Sequence, residues 1–391
     1  MNFVILNQYC ENRGDEAAGT ALVQNLLSIK KVSRIDIIYN SAFRLDFDNA
    51  KVFHRNNDLM LKKVGLYGII RYLLLRKTLL RKYCFANETI ENMINTIRNA
   101  DYIFVTPCGA SIGIYKDWAF LLRLVFAVFE DKTPIFHLNT IGKSGNIFFD
   151  VIAKWVLKKS KIYVRDTKSF DYIESLGLDV NKGVDTAFSL EPVCYVGKRD
   201  SIGVIVTQLG WHPDFKNLDM NKEIIENIIP GIVMISKKYN LAVELIPHLN
   251  NNEEIKFIEL VEKEMIKNGI NFSMVKIRSD IRTESQYDEA IANKKMIIGM
   301  RYHSIVLAAK NYIPFISLAY EYKMIEVCKY TDCTKYCLDL HTKVLASDVF
   351  EKGKEILTNY DSIINNLKNH RDRMKCLSQL PLREIKTKST Y

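Results

Sequence analysis

Ala292-Asn293-Lys294-Lys295-Met296-Ile297-Ile298-Gly299-Met300-Arg301-Tyr302-His303-Ser304 reads as a buried strand, Met296–Gly299, followed within a few residues by a helix, His303–Lys310. In open α/β sheets, ligands bind beyond the carboxyl ends of the strands, beside helix N-termini. Arg301 and His303 therefore occupy positions where a guanidinium fork, an imidazole and free backbone N–H groups can meet an anion. The structural alternative is an Arg–carboxylate pair and a helix-capping histidine. The small Ala308 and Ala309 let such a helix lie close to the sheet. Lys323 follows the next strand, Pro314–Leu318, and so belongs at the same sheet edge; an ordinary surface lysine is its alternative.

Outward from this stretch, the same alternation fills the chain. Phe3–Leu6 is a short apolar run; a loop carrying Asn12-Arg13-Gly14-Asp15 follows, then a helical pattern from Glu16 to Ile29 with Ala17, Ala21, Leu22 and Leu26 on one side. Further strands are expected at Ile35–Tyr39, Tyr102–Thr106, Pro134–Leu138 and Lys161–Val164. A looser segment, Glu191 to Asp200, precedes a fresh strand at Ile202–Val206. The second half continues with helix Lys222–Tyr239, strand Ala242–Ile246, helix Glu253–Asn268, strand Phe272–Val275 and helix Ser285–Ala292. Strands alternating with helices imply mainly parallel sheets. The expectation is an α/β protein: one Rossmann-like domain over residues 1–195 and a second over 196–345. Residues 346–391 form C-terminal helices that can cross back to the first domain, ending in a frayed basic tail. Two such domains facing a cleft give the type-B glycosyltransferase (GT-B) architecture.

Bulk properties bound the function. The 391 residues are too many for one ordinary core. With 48% hydrophobic and 26% charged residues, the chain has globular composition, which excludes disordered and fibrous classes. A net charge of +10 favours acidic partners without choosing among them. No basic motif interleaved with aromatics supports nucleic acid as a partner. The eight scattered cysteines and a polar N-terminal region point to free thiols in a cytoplasmic protein. The segment Lys62–Lys82 alternates basic and apolar residues, with Leu66, Ile69, Ile70, Leu73 and Leu74 on one face. It fits peripheral contact with an anionic inner membrane face and equally a helix packed on the domain.

Val164-Arg165-Asp166-Thr167-Lys168-Ser169 repeats the strand-end, arginine, helix form, with Asp166 or Thr167 available as a helix cap. Together, Asn12-x-Gly14-Asp15-x-Ala17, Arg165-Asp166-x-x-Ser169 and Asp185-x-Ala187-Phe188 resemble the first half of a polysaccharide pyruvyl transferase. Gly299-x-Arg301-x-His303 with Ala308, Pro314, Tyr320 and Lys323 resembles its second half. The resemblance runs from about residue 2 to 330. It implies the two-domain type-B fold and transfer of the enolpyruvyl group of phosphoenolpyruvate onto sugar hydroxyls of a cell-surface glycan precursor, forming a pyruvate ketal. It also implies that Arg165, His303 and Lys323 are the catalytic residues. The sequence departs from the family where a Gly-rich loop is usual: only Gly109 and Gly113 follow the strand ending at Val105-Thr106.

On this reading Arg165, Arg301 and Lys323 bind the donor by charge-assisted bonds and His303 transfers a proton or stabilises phosphate. Asp15 and Glu321 are secondary candidates for a base on the acceptor hydroxyls, with Asn12 and Asp166 also on the acceptor or secondary side. The chemistry requires neither a metal nor a resident cofactor; phosphoenolpyruvate is the donor substrate, and the sugar acceptor can be linked to a lipid diphosphate. A GT-B glycosyltransferase using a nucleotide sugar in polysaccharide biosynthesis is the alternative, because the same basic site would serve a diphosphate. Gly142-Lys143-Ser144 is not a P-loop, since His137 stands where its first glycine must be. Cys333, Cys337 and His341 recur every four residues as helical metal ligands might, but no second half-site accompanies them.

Overall fold

The computed structural model describes residues 1–55, 61–78, 84–85, 88–249 and 251–390, with side chains described for all of these except 61–66 and 388–390. The chain divides into two compact units. Unit 1 comprises Met1–Glu11, Ala18–Ser189 and Cys376–Tyr391; unit 2 comprises Asn12–Ala17 and Leu190–Lys375.

Unit 1 is built on seven parallel strands: β1 (Asn2–Gln8), β2 (Arg34–Tyr39), β3 (Val52–Arg55), β4 (Tyr102–Val105), β5 (Pro134–Asn139), β6 (Lys161–Val164) and β7 (Asn181–Lys182). Their order is β3-β2-β1-β4-β5-β6-β7. Side chains alternate across β1, so Phe3 and Ile5 join Leu22 and Leu26 on one face, while Val4 and Leu6 join Ile94 and Phe126 on the other. Each fully buried side chain of this kind contributes about 1.5–3 kcal/mol, and both sheet faces are covered, as an all-parallel sheet requires. The C-terminal segment completes the first face: Leu382 and Ile385 are core residues there. The expected frayed tail is instead helical over Arg383–Thr390, because those two apolar side chains anchor it.

Unit 2 has six parallel strands: β8 (Ser201–Ile205), β9 (Ala242–Leu245), β10 (Val275–Ile277), β11 (Met296–Gly299), β12 (Phe315–Ala319) and β13 (Cys337–Asp339). They are ordered β10-β9-β8-β11-β12-β13. In both sheets the winding reverses once, between β1 and β4 and between β8 and β11. Such a reversal opens a crevice at the carboxyl ends of the strands.

Local differences from the sequence reading have local causes. The expected helix Lys222–Tyr239 is interrupted by a π-helical segment, Ile224–Ile228, ahead of a helix Ile229–Tyr239 that carries Pro230 in its first turn. Proline has no N–H to give the preceding turn, and a wider turn accommodates it. Phe272–Met274 forms a 3₁₀ turn, leaving β10 to start at Val275. The C-terminal helices run Ala346–Thr358 and Tyr360–Ser378.

Candidate functional site

The crevice of unit 2 is occupied by Arg301. Its Nη2 donates to Thr207 Oγ1, just beyond β8, at 2.6 Å and to Glu254 Oε1 at 3.2 Å. The guanidinium is only 8% exposed, and its buried Nε makes no hydrogen bond. The other Glu254 oxygen, Oε2, accepts the backbone N–H groups of His248 (2.7 Å) and Leu249 (2.5 Å). Burial raises the Glu254 carboxyl above its ordinary range, against the pull of Arg301 and those two N–H groups. Behind it, His248 Nδ1 lies 2.9 Å from the Tyr287 hydroxyl. Burial, with the nearby Arg301, His303 and Arg13, holds His248 well below its ordinary value, so it is neutral. Burial likewise keeps the Tyr287 phenol protonated.

His303 lies in the first turn of the helix Tyr302–Lys310 and is 4% exposed. Its ring is 6.5 Å from that of His248, nearly parallel, and 5.0 Å from that of Tyr302. The Asn12–Ala17 turn belongs to unit 2 because it lies against this histidine. A Cβ placed on Gly14 would fall 2.0 Å from His303 Nδ1, so only glycine allows the approach. The Asn12 side chain accepts the N–H groups of Gly14 (2.8 Å) and Asp15 (3.3 Å), starting the helix Arg13–Leu27. The Arg13 N–H donates to the His248 carbonyl at 3.3 Å. In the same turn Arg13 Nη1 donates to both oxygens of Glu16, at 3.1 and 2.9 Å. Burial outweighs Arg13 and pushes the Glu16 carboxyl up to about 7.

Lys323 stands in the first turn of the helix Tyr322–Tyr330, after β12. It pairs with Glu321 and lies 5.6 Å from the centre of the Tyr302 ring. Neither Tyr302–Lys310 nor Tyr322–Tyr330 has a side-chain cap on its N-terminus. Their first-turn N–H groups and the positive ends of their dipoles are thus available at neighbouring strand ends. Trp211, His212 and Tyr320 form an aromatic cluster nearby, the last two with ring centres 5.6 Å apart.

The structure brings Arg301, His303, Lys323, Glu321, Asn12 and Asp15 together within unit 2. It places Arg165 and Asp166 in unit 1, where both have local work. Arg165 is 2% exposed and donates to Asp185 Oδ2 (2.6 Å), the Cys108 carbonyl (3.0 Å) and Thr140 Oγ1 (3.2 Å). Three segments of the sheet edge are thereby pinned to one side chain, a packing role the sequence reading had not found for it. Asp166 caps the helix Thr167–Ser175, accepting from the Ser169 N–H and hydroxyl, both at 2.8 Å.

Thr207, His248, Glu254 and Tyr287 escaped the sequence reading. His248 offered one signal, a histidine just beyond a strand. Cys333, Cys337 and His341 do not share a helix: Cys337 starts β13, and His341 pairs with Asp339 at 2.8 Å. Among the described residues, no group of three His, Cys, Asp or Glu side chains is placed to hold a metal.

Solved structures share this fold. A UDP-N-acetylglucosamine 2-epimerase matches with TM-score 0.61 and 11% identity, covering 98% of this chain and 94% of that one. The Neisseria meningitidis UDP-GlcNAc 2-epimerase bound to UDP-GlcNAc matches at 0.57 and 11%, over 98% and 99%. Anabaena HepE, in complex with UDP and glucose, matches at 0.58 and 10%, over 100% of both chains. At such identities the likeness defines the fold class alone: an α/β protein of GT-B type. No curated protein sequence matches the chain. The family model for polysaccharide pyruvyl transferase matches residues 12–322, and the chain belongs to that family, whose members are transferases.

Proposed function

We propose that this transferase moves the enolpyruvyl group of phosphoenolpyruvate onto two hydroxyls of a glycan precursor. One observation carries the reading: two adjacent helices begin uncapped at the ends of β11 and β12, beside a buried arginine with an unbonded Nε. That is a site for a compact, multiply charged anion. Phosphate and carboxylate oxygens take the free backbone N–H groups and Arg301, and Lys323 neutralises remaining charge by exchanging Glu321 for substrate.

His303 gives a proton to the methylene carbon, making the adjacent carbon electrophilic. A sugar hydroxyl forms a C–O bond there and releases its proton. The C–O bond to phosphate breaks, phosphate leaves with the electron pair, and a second hydroxyl closes the ketal with loss of its proton. The neutral His248 beside His303 keeps a second positive charge out of the pocket. Arg165 acts in unit 1 as a positioning residue, fixing the ends of β4, β5 and β6.

The test is phosphate release from phosphoenolpyruvate across a panel of lipid-linked and nucleotide-linked sugar acceptors. Release that depends on acceptor and is lost in His303→Ala supports the proposal. Turnover of a nucleotide sugar with no phosphoenolpyruvate consumption would replace it with glycosyl transfer.

A further inference from the structure

The helix Ile147–Leu157 of unit 1 is apolar on both sides, and only one side is used by the core. Phe149, Ala153, Val156 and Leu157 are buried. On the opposite side Ile147 and Phe148 are each 76% exposed and Val151 65%, and Ile152 is exposed as well. Helices of this composition normally lie inside a protein, and a contiguous exposed patch of large apolar side chains marks a contact surface. The patch continues onto a neighbouring loop. Gly142 N–H bonds the Ile112 carbonyl at 2.9 Å and the Trp118 and Phe149 rings are 5.0 Å apart, which brings exposed Ile114 and Tyr115 beside the helix.

A second helix extends it. Residues 61–75 pack on the same layer through Tyr72, whose ring meets Phe126 edge-on at 5.3 Å, while Tyr67, Ile70, Leu73 and Leu74 are exposed. Of the Lys62–Lys82 segment, residues 79–83 and the side chains of 61–66 lie outside the described residues. The described part combines both expectations: one face is packed and the other is apolar and open. Phe129 joins the two helices, with Trp155 at 5.3 Å and the Arg76 guanidinium at 5.4 Å from its ring.

Charge selects the occupant. Lys116, Lys143, Lys158 and Lys159 are exposed around the apolar side chains. The nearby acids are already engaged: Asp150 accepts the Ser144 N–H, and Asp117 caps the helix Trp118–Phe129 and accepts from Asn40. A second copy of the same face would set lysine against lysine. An apolar strip rimmed by cations instead matches the headgroup–acyl boundary of an anionic bilayer. Among the described residues no helix is long and apolar enough to cross a membrane, so the contact would be interfacial.

We propose that Ile147, Phe148 and Val151 seat the protein on anionic membranes, with Lys143, Lys158 and Lys159 on lipid phosphates. The inference does not depend on the donor chemistry proposed above.

The test is flotation of the full chain with phosphatidylcholine vesicles, with and without phosphatidylglycerol. Binding should require the anionic lipid and should weaken at high salt. Ile147→Asp with Phe148→Asp should weaken binding at least about tenfold. Each of Lys158→Glu and Lys159→Glu should weaken it at least about fivefold, as one cation near an anionic surface does. These side chains are exposed, so near-ultraviolet circular dichroism should match wild type and confirm folding. Quenching of Trp155 by brominated lipid gives an independent readout. A folded double-aspartate variant that floats like wild type overturns the proposal. So does absence of vesicle binding together with a dimer that the same variant abolishes.

Discussion

The two units carry the same phrase at a sheet edge, a strand that ends in arginine and leads into a helix, and use it oppositely. In unit 1, Arg165 is spent on Asp185, Thr140 and the Cys108 carbonyl, and its helix is capped by Asp166. The other helices following β4 and β5 are capped too, by Asp117 and Asn146. In unit 2, Arg301 keeps an unbonded Nε, and the helices after β11 and β12 start bare, although helices elsewhere in that unit are capped by Asn251 and Thr283. Capping is thus withheld at one edge only. A sequence phrase specifies where an arginine sits; its neighbours decide whether it serves structure or ligand.

The largest effect expected from this contrast is on stability. Arg165→Ala leaves Asp185, 0% exposed, without its cation, and should cost unit 1 about 3–5 kcal/mol in denaturant unfolding. Arg165→Lys should recover little, because one ammonium cannot replace a fork that reaches three acceptors. His303→Ala should give the reverse pattern: phosphate release falls about 10²–10⁴-fold while the unfolding midpoint barely moves. Equal loss of stability in both variants would erase the distinction between the edges.

Next is Glu16, where the sign can be fixed. Its carboxyl rises from an ordinary 4.5 to about 7 on folding, so the folded state binds more protons between those values. Stability from this group is greatest below pH 4.5 and is lost as pH rises to about 7, by roughly 2–3 kcal/mol. Glu16→Gln should flatten that part of the stability–pH curve, as measured by thermal melts at closely spaced pH. The smallest effect concerns the cap: Asp166→Ala should cost about 1 kcal/mol of stability. Glu321 caps nothing, so Glu321→Ala should show no cap loss and should act through Lys323 on activity instead.

The sheets were legible because strand and helix periods alternate visibly, and Arg301, His303 and Lys323 were legible because strand ends can be located. Short edge strands such as Val52–Arg55 and Asn181–Lys182 carry too few residues to show a period. The partners of Arg301 were invisible for a different reason. Thr207 and Glu254 lie 94 and 47 residues away in sequence, and no local pattern encodes which distant carboxylate a guanidinium will meet. The Gly14 motif was noticed as a motif, but its cause was not. It is the absence of a Cβ that lets His303 occupy that space.

The bare helix ends have a consequence for handling the protein. A ligand that completes them supplies the hydrogen bonds a side chain supplies elsewhere, so for unit 2 the substrate is a missing piece of secondary structure. Saturating anion at a hundred times its Kd should stabilise the folded state by about 2.7 kcal/mol. The melting temperature of unit 2 then becomes a measure of donor affinity that needs no acceptor, no turnover and no knowledge of the glycan.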